Sequence, residues 1–288
     1  MAVPAEHVMT WAAGHSPDRI AAVGVLAIRP RRYLSDGVAL GLTPIPGLMV
    51  RVPDREETPV WHQSTGLYGF LRLPPGIARV EVSDPAGRYL PQALTAAVPD
   101  RQSVREALEA GEVPGANAPR PLYLDVALRP AIDFAVPPGT AAIWGLVRGR
   151  DDRRPVPGAL VGLDTVRTEV ADRVTSMSGP DGCYLLVLPG EMINRGVAPP
   201  VRRFDRRLTV EVPRPPLAAA LAGPQGYLRA LPPGVFSLSD ADRTALFQVR
   251  DFQLRPAVGA LRERVNGQNP LTTVSIGERV RWDIELFP

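Results

Sequence analysis

The sequence predicts an all-β protein built as two tandem β-sandwiches, with short helical inserts and a C-terminal β-hairpin. Three observations predict it. Proline accounts for 33 of the 288 residues and glycine for 26. That proline share is about twice the usual ~5%, which defeats long helices and suits short strands, turns and sheet edges. Apolar runs are short and punctuated by turn residues every roughly 8–12 positions, the spacing of sandwich strands. Finally, one ordered set of landmarks is written twice, as an internal duplication with a period near ~120 residues.

The elements follow in chain order. Residues 1–19 form a lead segment with little pattern, in which Trp11 is the one candidate for docking onto a partner. The first domain, 20–131, runs PIPGLMVRV from Pro44, GLYGFLRLPPG from Gly66, ARVEVSDP from Ala78 and YLDVALRPA ending at Ala131. The second domain, 132–257, repeats the order with PVPGALVGL from Pro155, DGCYLLVLPG from Asp181, RLTVEVPRP from Arg207 and VRDFQLRPA ending at Ala257. In ARVEV and LTVEV apolar and polar residues alternate, the period of a half-buried strand. GFLRL and YLLVL are denser, as expected of strands in a sandwich core. Glycine two places before tyrosine, at Gly66 and Tyr68 and again at Gly182 and Tyr184, predicts a tight turn with positive φ and a ring packed over it. Leu-Pro-Gly then ends each strand, since proline offers no N–H and glycine reverses the chain.

Three helical inserts are expected: SVREALEAGE with Ser103 as its cap, PPLAAALAG from Pro215, and SDADRTALFQV capped by Ser239. Residues 258–288 read as a docking extension folded as a hairpin, GALRERV turning through NGQNP into TVSIGERVRWDIELF. In its last strand Val280, Trp282, Ile284 and Leu286 share one face. With no counterpart in the first unit, that strand could complete a sheet in its own chain or in a neighbour.

The Pro-x-Pro-Gly-Ala-x-Val strand, Asp-Gly-x-Tyr and Leu-Pro-Gly, in this order from about Ala142 to Pro213, resemble the carboxypeptidase regulatory-like domain. The resemblance implies a transthyretin-like, seven-stranded sandwich of the broader immunoglobulin-like class. The first unit matches more loosely, because STGLYGFLRLPPG lacks the aspartate before glycine. Such domains are generally non-catalytic modules that pack on enzymes or serve in surface and particle assemblies, so the resemblance implies architecture and transfers no catalytic or binding residue.

Composition narrows the function. The chain is 45% hydrophobic and 22% charged, a globular balance. All 33 basic residues are arginine, yet the formal net charge is only +3. The short clusters Arg29, Arg31 and Arg32; Arg148, Arg150, Arg153 and Arg154; and Arg202, Arg203, Arg206 and Arg207 read as solvated loops and strand edges, and no nucleic acid partner is expected. A single cysteine, Cys183, excludes an intramolecular disulfide and reads as a buried structural thiol. Without a signal peptide pattern or an apolar span of about 18 residues, a cytoplasmic protein is expected, with no membrane partner.

No catalytic signature stands out. His7, His15 and His62 lack cysteine or acid partners at metal spacing, so no metal site is expected. The serine-nucleophile, phosphate-loop and dinucleotide patterns are absent, and one aspartate in SGPDG makes no calcium loop. No cofactor is therefore expected. Trp61, Tyr68, Phe70, Trp144 and Tyr184 read as core. The chain is expected to be non-enzymatic: a structural protein that docks on protein subunits of a larger assembly, or on its own copies, through sheet edges and through Trp11, Val280, Trp282, Ile284 and Leu286. A phage tail or phage-tail-like contractile particle, made in the cytoplasm and in some cases released, is the expected setting. Loss of 258–288 would then abolish incorporation and leave a folded two-domain core. Two alternatives remain, a carbohydrate-binding module using an exposed Trp61 or Tyr89, and an enzyme with an unrecognised site.

Overall fold

A computed structural model describes residues 10–11, 22–23, 25–35, 38–39, 44–53, 55–109, 123–138, 140–165, 173–188, 203–222, 226–256, 271–275 and 279–288. The fold is predominantly β, in several sheets with a few short helices. The chain divides into two compact units: unit 1 is Met1–Arg31, Gly41–Pro85 and Gln92–Ala127, and unit 2 is Arg32–Leu40, Ala86–Pro91 and Leu128–Pro288. The expected cut after Ala131 thus gives way to a boundary in which two short segments from the first repeat join the second unit. For Ala86–Pro91 the reason is local pairing. Leu90 N–H donates to the Arg129 carbonyl at 2.9 Å, and Ala131 N–H to that of Arg88 at 2.9 Å. The Tyr89 ring sits 5.6 Å from that of Phe134.

The strands of the first repeat are β1 (Thr10–Trp11), β2 (Ala22–Val23), β3 (Leu26–Ser35), β4 (Val38–Ala39), β5 (Met49–Arg51), β6 (Val60–His62), β7 (Leu67–Phe70), β8 (Gly76–Ser83), β9 (Gln92–Val98) and β10 (Tyr123–Leu128), with helix α1 (Arg101–Glu109) between the last two. Strands β1 and β2 pair with each other, and β4 pairs with the end of β3. The two sheets run β10-β3-β7-β6 and β5-β8-β9. Their buried side chains include Leu26, Ile28, Tyr68, Phe70, Val80, Val82, Ala93 and Val126. The cap of α1 lies three positions earlier than expected: Asp100, not Ser103, caps the helix, accepting from the Ser103 N–H at 3.1 Å.

The second repeat supplies β11 (Ala141–Gly149), β12 (Leu160–Thr165), β13 (Arg173–Met177), β14 (Cys183–Leu188), β15 (Arg203–Pro213), β16 (Phe247–Val249), β17 (Phe252–Pro256), β18 (Leu271–Ser275) and β19 (Arg279–Leu286). Helices α2 (Pro215–Leu221), α3 (Gly226–Ala230) and α4 (Asp240–Leu246) lie between β15 and β16. Proline opens α2, where its missing N–H costs nothing, and Ser239 caps α4 by accepting from Asp242 N–H at 3.1 Å. One sheet runs β14-β11-β19-β17; the other runs β13-β12-β15-β16, with β18 also on β15. A single core joins them, from Ile143, Val147, Tyr184 and Leu186 on one side to Val161, Leu163, Leu208 and Val210 on the other. Two sheets around one apolar core make a sandwich.

The two halves part company at two strands: β6 pairs with β7 whereas β13 pairs with β12, and β19 has no counterpart among the described strands of the first half. In unit 1 the first strand, β3, lies directly beside the last, β10. In unit 2 the corresponding strands β11 and β17 are separated, because β19 stands between them, parallel to β11 and antiparallel to β17. β18 and β19 belong to different sheets, and GALRERV, the first arm of the expected hairpin, lies outside the described residues. The inserted strand needs room. A Cβ on Gly145 of β11 would lie 1.9 Å from the Trp282 carbonyl oxygen, so glycine is required for the close approach. There the ladder is interrupted, and Leu146 N–H is satisfied instead by the Asp283 carboxylate at 3.1 Å.

Candidate functional site

The repeated turn motif comes first, because it positions the strand ends. Gly66 and Gly182 have φ of 69° and 78°, as their place before tyrosine predicts. Each is also closed in by the first proline of the Pro-x-Pro-Gly turn of its own unit, Pro44 or Pro155. In unit 1 the Tyr68 hydroxyl ties that turn down, donating to the Ile45 carbonyl at 2.9 Å and accepting from Leu48 N–H at 3.2 Å. In unit 2 the equivalent backbone groups, Val156 C=O and Ala159 N–H, are held by the Ser178 hydroxyl at 2.6 and 2.8 Å. Tyr184 is freed from this task and donates to the Trp282 carbonyl at 2.8 Å, on the inserted strand. These hydroxyls are architectural, and no chemistry converges on them.

The residues expected to dock on partners separate into distinct settings. Trp11 lies on β1, its backbone paired with Ala22, and its side chain is outside the described residues. Trp282, Ile284 and Leu286 are buried in the core of unit 2, with Val280 half-buried against it. The shared face read from the sequence is real, and it packs inward in its own chain. Within that stretch, β19 is an inner strand of its sheet, with β11 on one side and β17 on the other.

Exposed apolar residues lie elsewhere, and mostly on sheet edges. Met49 is on β5, Val60 and Trp61 on β6 and Val249 on β16, each an outermost strand of its sheet. Ile77, near the start of β8, is the other large one among the described residues. Trp61 was expected in the core, yet it is 37% exposed, its ring 6.5 Å from that of Tyr68. Beside it His62 Nδ1 is 2.7 Å from the Thr65 hydroxyl and 3.3 Å from that of Ser64. Tyr89, by contrast, is buried.

Charge is organised around buried carboxylates. The glutamate of each Val-Glu-Val alternates with apolar residues and does not simply face solvent. Glu81 is buried beneath Arg51, whose Nε is 3.0 Å away, and Arg79. Glu211 receives two hydrogen bonds from Arg243 at 2.6 and 2.7 Å. Burying a carboxylate demands such pairing. The densest case is Glu285 of β19, fully buried although its neighbours Ile284 and Leu286 take the core-facing positions. Its Oε1 accepts from Arg148 Nη2 at 2.8 Å, Arg148 Nε at 3.2 Å and Arg153 Nη1 at 2.8 Å. Its Oε2 pairs with Arg255 Nε. Sequence spacing could not reveal this site, because Arg148, Arg153, Arg255 and Glu285 are gathered only by the insertion of β19.

Cys183 is half-buried rather than sealed. Burial, then the hydrogen bond and negative charge of Asp181, push its thiol from 9.0 up to about 11. At neutral pH it is a protonated, poorly nucleophilic thiol. Among the described residues no three His, Cys, Asp or Glu side chains are grouped to hold a metal ion, and no helix is long and apolar enough to cross a membrane.

No protein-family model matches the chain, and no curated protein does. Some solved structures do. The Bacillus anthracis TIE protein is 12% identical over 93% of this chain, with a TM-score of 0.24, and this chain spans 34% of its length. The GBS52 minor pilin of Streptococcus agalactiae is 10% identical over 91% of this chain and 94% of its own, at a TM-score of 0.21. A streptococcal ancillary pilin is 15% identical over 61% of this chain and 57% of its own, at a TM-score of 0.20. At such scores the likenesses carry neither family nor function.

Proposed function

We propose that this chain is a non-enzymatic structural protein that docks on the subunits of a larger assembly by adding strands at its sheet edges. The observation that carries the reading is the placement of exposed apolar side chains: Met49, Val60, Trp61 and Val249 all lie on outermost strands. An outer strand offers unpaired N–H and C=O groups to an extended segment, and natural sheets usually blunt such edges with charge. Here apolar side chains sit on those edges, beside the backbone groups that strand addition uses for affinity. The repeated Pro-x-Pro-Gly, Gly-x-Tyr and Leu-Pro-Gly signals support the finer assignment to carboxypeptidase regulatory-like sandwiches. By analogy with modules of that kind, the setting we favour is a phage tail or phage-tail-like contractile particle, assembled in the cytoplasm and in some cases released.

The test is incorporation. Particles purified from producing cells should contain the chain, and the Val60→Arg/Trp61→Arg variant should remain folded but fail to co-sediment with them. Particles without the wild-type chain, or normal incorporation of that variant, would sink the reading. A second reading, carbohydrate binding, is favoured by one observation: Trp61 is exposed beside His62, Ser64 and Thr65. An aromatic face next to polar groups suits a sugar ring. A glycan array with no Trp61-dependent signal removes it.

A further inference from the structure

We propose that the guanidinium cluster of Arg148, Arg153 and Arg255 above Glu285 binds a tetrahedral oxyanion, phosphate or sulfate, free or as a monoester. The proposal is independent of the docking reading.

Charge balance is the first ground. Three guanidiniums converge on one carboxylate, an excess of two positive charges over Glu285 itself. Two neighbouring acids have hydrogen-bond partners of their own. Asp283 pairs with Arg281 at 3.1 Å and takes Leu146 N–H, and Asp152 accepts from the backbone N–H of Arg154 at 3.1 Å. Gln253, opposite Glu285 on β17, is neutral.

Donor supply is the second. Each guanidinium carries about five N–H donors in a planar fork. Arg153 reaches the carboxylate through Nη1 and Arg255 through Nε, and both side chains are about half exposed, at 54% and 48%. The carboxylate itself is sealed, at 0%. Glu285 thus holds the arginines together from below, and the half-exposed guanidiniums of Arg153 and Arg255 carry N–H groups beyond those that touch it, the donors with which a guanidinium fork takes a phosphate or sulfate.

Backbone conformation is the third. Arg153 is the one non-glycine at positive φ among the described residues, at 58°. Left-handed backbone is disfavoured for a residue with a long side chain and is retained where its surroundings over-determine it. Here it aims the Arg153 guanidinium at the cluster, where asparagine or glycine would satisfy the turn and provide no charge.

The experiment titrates the full-length protein with inorganic phosphate, inorganic sulfate and glycerol 3-phosphate, against chloride at matched ionic strength, while recording the arginine side-chain Nε–Hε NMR signals. Saturable shifts of Arg148, Arg153 and Arg255 are expected, with half-saturation in the range of about 1–10 mM. Arg153→Asn, which keeps the turn, and Arg255→Gln should each raise that concentration about tenfold. Arg279→Gln, on the same strand but outside the cluster, should leave it unchanged. Tighter binding of glycerol 3-phosphate identifies a monoester ligand, and tighter binding of an inorganic ion a free one. Wild-type shifts that grow without saturating, or equal shifts in Arg153→Asn, Arg255→Gln and Arg279→Gln, overturn the proposal.

Discussion

Tyr68 and Ser178 do the same work with different side chains. Each hydroxyl donates to the second residue of a Pro-x-Pro-Gly turn and accepts from the residue after its glycine. Removing either oxygen leaves a buried carbonyl and N–H without partners, so Tyr68→Phe and Ser178→Ala should each cost about 1–3 kcal/mol, measured by urea unfolding. The effect of pH is also a residue-scale matter. Cys183 is raised from 9.0 to about 11, and burial raises Tyr184 and Tyr227 above their ordinary 10.0. In each case the unfolded chain loses its proton at lower pH than the folded one. Their stabilising contribution is therefore complete below pH 9.0 and declines as pH rises through 9.0 and beyond. Unfolding free energy measured at about pH 8 and about pH 10 should fall, and Cys183→Ser should recover the thiol's part. A flat profile would contradict the burial of these groups.

At the scale of elements the decisive piece is β19. Trp282, Ile284 and Leu286 each bury an apolar side chain worth about 1.5–3 kcal/mol, and the strand supplies the partners for both β11 and β17. Deleting 258–288 should therefore unfold unit 2 instead of leaving it intact. Hydrogen exchange would show this as loss of protection at the amides of β11 and β17. Gly145→Ala attacks the same junction from the other side, because the Trp282 backbone has nowhere to go. It should cost at least ~2 kcal/mol in denaturant unfolding. The face that carries Trp282 could be read from alternation alone. Its destination could not, since a strand with one apolar face suits its own sandwich and a neighbour's equally well.

At the scale of the whole molecule the chain divides into two compact units. The segment Ala86–Pro91 belongs to unit 2 through Leu90, Arg88 and Tyr89. A fragment of residues 132–288, cut where the repeats divide by sequence, lacks those partners. It should melt below the unit 2 transition of the full chain, and equal melting would show the segment to be dispensable. Edge exposure is likewise a property of this scale. Trp61 was legible as a strand aromatic, but its place on an outermost strand depends on which strands pair.

Local geometry was legible in the sequence: the positive-φ glycines, the Pro-x-Pro-Gly turns, the helix opened by Pro215, the cap at Ser239 and the alternation of ARVEV and LTVEV. These are dictated by sterics and hydrogen bonding within a few residues. Tertiary structure alone decided that β19 enters between β11 and β17, that Glu81 and Glu285 lie buried under arginines, and that Trp61 stands at an edge. Such outcomes depend on partners far apart in the chain, 137 residues in the case of Arg148 and Glu285, and no short-range pattern records a distant partner.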